Sequence, residues 1–120
     1  MPLTISVDRS DPVAPVIRAG GELAFTTAAP LRAEVDRLLA EGPRTLVLNF
    51  RDLLFIDSTG LSVIVHAWRQ GQEGGTEIQL RETPRFLATI LDMTGVTGLL
   101  TRPQPTGRSE RPATDSSALA

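Results

Sequence analysis

Residues 54–68 read Leu-Phe-Ile-Asp-Ser-Thr-Gly-Leu-Ser-Val-Ile-Val-His-Ala-Trp, and the hydrophobic period changes inside them. A short apolar run, residues 53–56, stops at Asp57. Beyond it, Leu61, Ile64, Val65 and Trp68 fall at i, i+3, i+4 and i+7, which marks one face of a helix. Between the two stand Asp57, Ser58, Thr59 and Gly60, and either Asp57 or Ser58 suits a helix N-cap. A strand that turns straight into a helix leaves its turn residues at the sheet's edge, where the helix's free N–H groups point outward. A hydroxyl placed there is exposed, in surroundings that favour negative charge. The function therefore turns on what Ser58 is for.

Working upstream, residues 45–50 are apolar almost throughout and suit a strand covered on both faces. Before them, Thr26 or Thr27 can cap a helix that tolerates Pro30 in its first turn. Leu31, Val35, Leu38 and Leu39 form its buried stripe, Arg32, Glu34, Asp36 and Arg37 face water, and Gly42-Pro43 ends it. Residues 16–19 read as a strand broken at Gly20-Gly21, with residues 22–25 continuing it beyond a bulge. Leu3, Ile5 and Val7 alternate with polar residues, as in a half-buried edge strand. The Ser10-Asp11-Pro12 turn leaves no room for a helical crossover, so the first two strands pair antiparallel.

Downstream, the central helix is expected to fade at Gly71, with Gly74-Gly75 as a turn and residues 77–80 as the next strand. Thr83-Pro84 reads as a capping Thr followed by Pro at the first helical position. Phe86, Leu87, Ile90, Leu91 and Met93 give that helix an apolar face, and Gly95 stops it. Residues 96–100 are a short apolar piece that suits a last helical turn or a strand. Strands alternate with helices, which implies an α/β domain with parallel pairing among the middle strands.

Composition narrows the function. A chain of 120 residues with 41% hydrophobic content forms one domain with a real core. A formal net charge of −2 makes no electrostatic case for direct nucleic-acid binding. There is no cysteine, and His66 is the single histidine, so thiolate chemistry and a multi-histidine metal site within one chain are excluded. No apolar run approaches the roughly 18 residues of a membrane span. The N-terminus lacks the pattern of a signal peptide, so a cytoplasmic protein is expected. As a nucleophile, Ser58 lacks a base: on one helix His66 lies about 12 Å further along the axis. The hydrolase elbow Gly-x-Ser-x-Gly is half missing, since Ile56 stands at its first position. The glycines fit no phosphate-loop or dinucleotide pattern, and Asp52 and Asp57 are explained as turn and cap residues. No cofactor, metal or catalytic residue is expected.

Phe55-Ile56-Asp57-Ser58-Thr59-Gly60-Leu61 resembles the signature of STAS domains, specifically those of bacterial anti-sigma factor antagonists. Gly21-Glu22-Leu23, residues 45–50 and Leu91-Asp92-Met93-Thr94-Gly95-Val96 resemble further parts of the family's pattern, so that the likeness runs from Val16 to Leu100. Where the family often has aspartate, this chain has Ala24 and Asn49. The resemblance implies the STAS fold, a small, mixed but mostly parallel sheet of four to five strands with helices packed around it. It implies that Ser58 is the phosphoacceptor, with Thr59 as the alternative, and that Asp57, Ser58, Thr59, Gly60 and Leu61 form the partner-binding surface. The implied partners are an anti-sigma factor that is itself a serine kinase, and a serine phosphatase. The chain would then be a binding module and not an enzyme. The competing reading is a STAS interaction module of another signalling or transport-associated complex.

The STAS-like domain is expected to occupy residues 1–102. Residues 103–120 are polar, rich in Pro and Ser and without periodicity, the composition of a disordered tail. Deleting residues 103–120 is expected to leave the thermal midpoint and the circular dichroism spectrum unchanged, whereas a clear drop in midpoint would place that segment against the domain.

Overall fold

The structure is a computed structural model that describes residues 2–95. Its elements run β1 (Leu3–Asp8), β2 (Val16–Leu23), α1 (Ala28–Leu39), β3 (Thr45–Asn49), β4 (Leu53–Ile56), α2 (Ser58–Gly74), β5 (Glu77–Arg81) and α3 (Arg85–Thr94). The sheet order is β1-β2-β3-β5, with β4 also pairing β2. β1 is antiparallel to β2 and all other pairs are parallel. Because β1 occupies one side of β2 along its length, β3 and β4 lie in succession on the other side. Val16–Arg18 pair with β3 and Gly21–Leu23 with β4. The expected bulge is present as a register shift between Gly21 and Glu22, where Gly21 has φ 96°. The strand ends at Leu23, so Phe25 belongs to the connection and not to β2.

The period-2 pattern sorts the sheet into two faces. Ile17, Ala19, Leu46, Leu48 and Ile78 turn inward and join one buried cluster with Leu31, Val35 and Leu38 of α1 and Val63, Ile64 and Ala67 of α2. α3 adds Leu87 and Leu91 to the same cluster. The opposite face carries Thr4, Ser6, Arg18 and Arg81, all exposed. β3 is buried from Leu46 to Asn49, as expected for an interior strand.

Expectations about all three helices are corrected. The buried face of α2 is Gly60, Val63, Ile64, Ala67 and Gly71, while Leu61, Val65 and Trp68 are only half-buried on its flank. The centre of that face is built from small residues because the helix approaches the sheet closely. A Cβ on Gly60 would collide with the carbonyl and side chain of Leu23, and one on Gly71 would stand 2.6 Å from the Thr76 carbonyl oxygen. Small residues carry little hydrophobic weight, so the larger flanking side chains dominate the pattern. Accordingly Gly71 is no terminus, and α2 runs through it to Gly74 before the left-handed cap at Gly75. At α3, Pro84 with extended backbone is the N-cap and Arg85 the first helical residue, so Thr83 does not cap it. Met93 is 80% exposed and lies off the helix's buried stripe. Thr27 stands at the N-cap of α1 but makes no side-chain cap bond. Its hydroxyl donates to the Glu22 carbonyl at 2.6 Å and accepts from the Ala24 N–H at 2.9 Å. The apolar piece 96–100 and the tail lie outside the described residues.

Two glycines of one helix should respond with opposite sign. Gly71→Ala is expected to lower unfolding free energy by roughly 1–3 kcal/mol, the cost of overpacking. Gly74→Ala, where a Cβ meets nothing within 4 Å, should gain up to about 1 kcal/mol of helix propensity. Ile64→Ala should cost roughly 2–5 kcal/mol as a fully buried position. Urea denaturation of the three variants measures all of this.

Candidate functional site

The candidate site is the junction from β4 to α2. Leu23 and Ile56 are partners in the parallel pair of β2 and β4, so the two strands end level. The Asp57 N–H donates to the Leu23 carbonyl at 3.2 Å, and Asp57 then adopts extended backbone, φ −112° and ψ −172°, as the N-cap of α2. Its Oδ1 accepts from the Gly60 N–H at 2.9 Å, the bond that an N-cap side chain makes to the third helical residue. Its Oδ2 accepts from the Phe25 N–H at 3.0 Å. One carboxylate thus joins the start of α2 to the β2–α1 connection. The Gly60 N–H holds the Asp57 carboxyl below its ordinary range, against burial, with the N–H groups of Phe25 and Thr59 acting in the same direction.

Ser58 is the first residue of α2 and is exposed. Among the described residues its hydroxyl makes no hydrogen bond. Thr59 is half-buried, and its carbonyl accepts from the Ser62 hydroxyl at 2.6 Å. Gly60 is buried against Leu23, and Leu61 is half-buried. Of the five residues singled out in the sequence, Ser58 faces outward, and Thr59 and Leu61 do so in part. The Asp57 carboxylate is engaged inside the junction, and Gly60 is a packing residue.

Large apolar residues other than those five are exposed around the junction. Phe25 is 79% exposed, although its backbone N–H is bound by Asp57. Leu54 and Phe55, in the middle of β4, are exposed as well. The strand pattern concealed them: apolar residues in a strand read as core, yet β4 is only four residues long and pairs with β2 alone. Phe25 had one signal, the two threonines after it, which require the chain to leave the strand before the helix starts. His66 bridges the helices, its Nε2 lying 2.7 Å from Asp36 Oδ1. That contact engages the ring two turns from Ser58, so it does not serve as a base for the serine.

Among the described residues there is no group of three His, Cys, Asp or Glu side chains placed to hold a metal, and no helix is long and apolar enough to cross a membrane. The family model described as Mlab, STAS domain matches residues 6–101. The chain is similar to the anti-sigma F factor antagonist of Paenibacillus polymyxa, 28% identical over 82 residues that cover 68% of this chain and 70% of that protein. In fold it resembles an anti-sigma factor antagonist from Mycobacterium paratuberculosis, with TM-score 0.68, 24% identity and 80% of each chain covered. It also resembles the Bacillus cell fate determinant SpoIIAA in its phosphorylated form, with TM-score 0.62 and 21% identity over 80% of this chain and 87% of that one.

The depressed Asp57 carboxyl sets a pH dependence. A carboxyl lowered in the folded state contributes stability that is present above its unfolded value, near 3.8, and is lost as pH falls through the lower folded value. Asp57→Ala should therefore melt below wild type at pH 7, and the gap should close toward pH 2. Thermal melts from pH 7 to pH 2 check this, and a gap independent of pH would assign the loss to something other than the carboxylate.

Proposed function

The chain belongs to the STAS domain family, and we propose that within it this protein is an anti-sigma factor antagonist switched at Ser58. Unmodified, it binds its anti-sigma factor, itself a serine kinase, and the sigma factor is released to direct transcription. The kinase transfers the γ-phosphoryl group of ATP to Ser58 Oγ, the hydroxyl loses its proton, ADP leaves, and the complex separates. A serine phosphatase hydrolyses the ester and restores the antagonist. The observation that carries this reading is the placement of Ser58: an exposed hydroxyl without a bonding partner among the described residues, opening a helix whose cap is the residue before it. The relatives named as antagonists support it, as does the cell fate determinant SpoIIAA, solved in a phosphorylated form. Ser58 is preferred to Thr59 because Thr59 is half-buried.

Phosphate on Ser58 adds about −1.5 to −2 charges. The fold tolerates this, since a helix N-terminus favours an anion by up to about 1 kcal/mol. A partner surface shaped for a hydroxyl does not, because the dianion must be desolvated against it. A thousandfold loss of affinity needs only about 4 kcal/mol, within reach of one buried, unpaired charge. Phe25, beside Asp57, supplies an apolar anchor for the same interface. The second reading, an interaction module of another signalling or transport-associated complex, draws on the family model's description, which names a STAS domain and no antagonist.

Ser58→Asp is expected to fold normally and lose the partner, while Ser58→Ala folds, binds and resists phosphorylation. Phe25→Ala should weaken binding by roughly 1–2 kcal/mol, the scale of an interface anchor. A pull-down from the native cell that compares wild type with Ser58→Asp identifies the partner and tests the switch. Incubation of the captured kinase with ATP, followed by mass spectrometry of the peptide 52–69, locates the phosphate. Equal partner binding by wild type and Ser58→Asp would refute the switch.

A further inference from the structure

Ser58 shares a groove of about 390 Å³ with Arg32 of α1 and with Ser62, His66 and Arg69 of α2. α1 follows β2 and α2 follows β4, and these strands are parallel and end level, so both helices start at the same end of the molecule. The contact between His66 and Asp36 fixes their relative height. Arg32 lies one turn before Asp36, and Ser58 two turns before His66. At 1.5 Å per residue Arg32 stands about level with Ser62 and about 6 Å short of Ser58 along the axes. Long side chains on a helix lean toward its N-terminus, and a guanidinium spans such a gap. Among the described residues Arg32 makes no hydrogen bond or ion pair, whereas Arg37 on the same helix is paired with Glu34.

We propose that Arg32 receives the phosphate of phosphorylated Ser58 in cis, across the α1–α2 groove; this rests on the reading of Ser58 as the phosphoacceptor. A guanidinium offers paired N–H donors that match phosphate oxygens. In the unmodified protein Arg32 is a cation on the Ser58 surface, open to a carboxylate of the anti-sigma factor. Phosphorylation then acts twice at the interface, adding an anion and withdrawing that cation. The other charged groups here compete neither for Arg32 nor for the phosphate. Asp36 and His66 engage each other, and both Asp57 oxygens accept backbone N–H groups. Arg69 lies eleven residues past Ser58, about 16 Å along the axis.

The test uses the full chain with phosphoserine installed at position 58 during translation, so that no kinase takes part. Phosphorus NMR then follows the second ionisation of the phosphate in wild type, Arg32→Gln, Arg32→Lys and Arg69→Gln. Arg32→Gln should raise that pKa by roughly half a unit to one unit, an exposed pair giving less than the 1–3 units of a close buried one. Arg32→Lys should recover part of the shift, and Arg69→Gln should leave it unchanged. Without phosphate, Arg32→Gln should melt like wild type. An identical phosphate pKa in wild type and Arg32→Gln, or an equal effect of Arg69→Gln, overturns the proposal. A failure of the kinase to modify Ser58 would instead overturn the phosphoacceptor reading, and the two results are read in separate experiments.

Discussion

The Asp57 carboxylate accepts one N–H group from each of two segments, Gly60 in its own helix and Phe25 in a connection 32 residues earlier. Both oxygens are needed, and an asparagine would keep only one acceptor. The bridge forms because β2 and β4 end level, and the Asp57 N–H bonded to Leu23 closes the junction from the backbone side. With the two helix starts held side by side, the outward groups at this end become one surface: Phe25 on the connection, Ser58 on α2 and Arg32 on α1. Because the carboxylate is engaged inward, it leaves the Ser58 hydroxyl without a competing acceptor from its own cap.

The sequence exposed the order of the elements and the position of the junction, because both rest on changes of period and on strong breakers. The apolar run 53–56, the Asp57 cap and the helix behind it stand where the pattern put them. What it concealed follows from close packing. A helix that must lie against a sheet uses Gly60, Ala67 and Gly71 at the line of contact, and a hydrophobic count sees the buried Ile64 but otherwise only the bulkier flanks at Leu61, Val65 and Trp68. The same blindness, in reverse, hid the surface. Phe25, Leu54, Phe55 and Met93 are large and apolar, so alternation and helical spacing assign them to a core they do not enter. Arg32 was legible only as a solvated helix residue, since its relation to Ser58, 26 residues further on, depends on how two helices are set beside each other.

The division between fold and surface suits the switch proposed at a single hydroxyl. Ile64, Ala67 and Gly71 lock α2 onto the sheet, and Asp57 locks its first turn. A charge added at Ser58 therefore meets a helix end that is already fixed and needs no rearrangement to accept it. Only a surface laid against that hydroxyl registers the change. Such a signal is electrostatic and local, in keeping with a Debye length near 8 Å at physiological ionic strength.

That range also separates the two positions where this chain lacks an expected aspartate. Ala24 precedes Phe25 and belongs to the connection that Asp57 holds; its N–H and carbonyl are taken up by the turn into α1. Asn49 is level with Arg18 on β2, whereas the Ser58 end is level with Leu23. Five residues of strand put the two about 16 Å apart, beyond a Debye length. At its own end of the sheet Asn49 is buried, donates through Nδ2 to Glu82 Oε2 at 2.9 Å and accepts at Oδ1 from the Arg51 N–H at 3.0 Å. An aspartate there would set two carboxylates against each other, one of them buried, and would lose the donor that holds Glu82, a residue with φ 52°. The neutral amide at position 49 is thus matched to Glu82 and independent of the charge proposed at Ser58, while Ala24 is the substitution that touches the proposed partner surface.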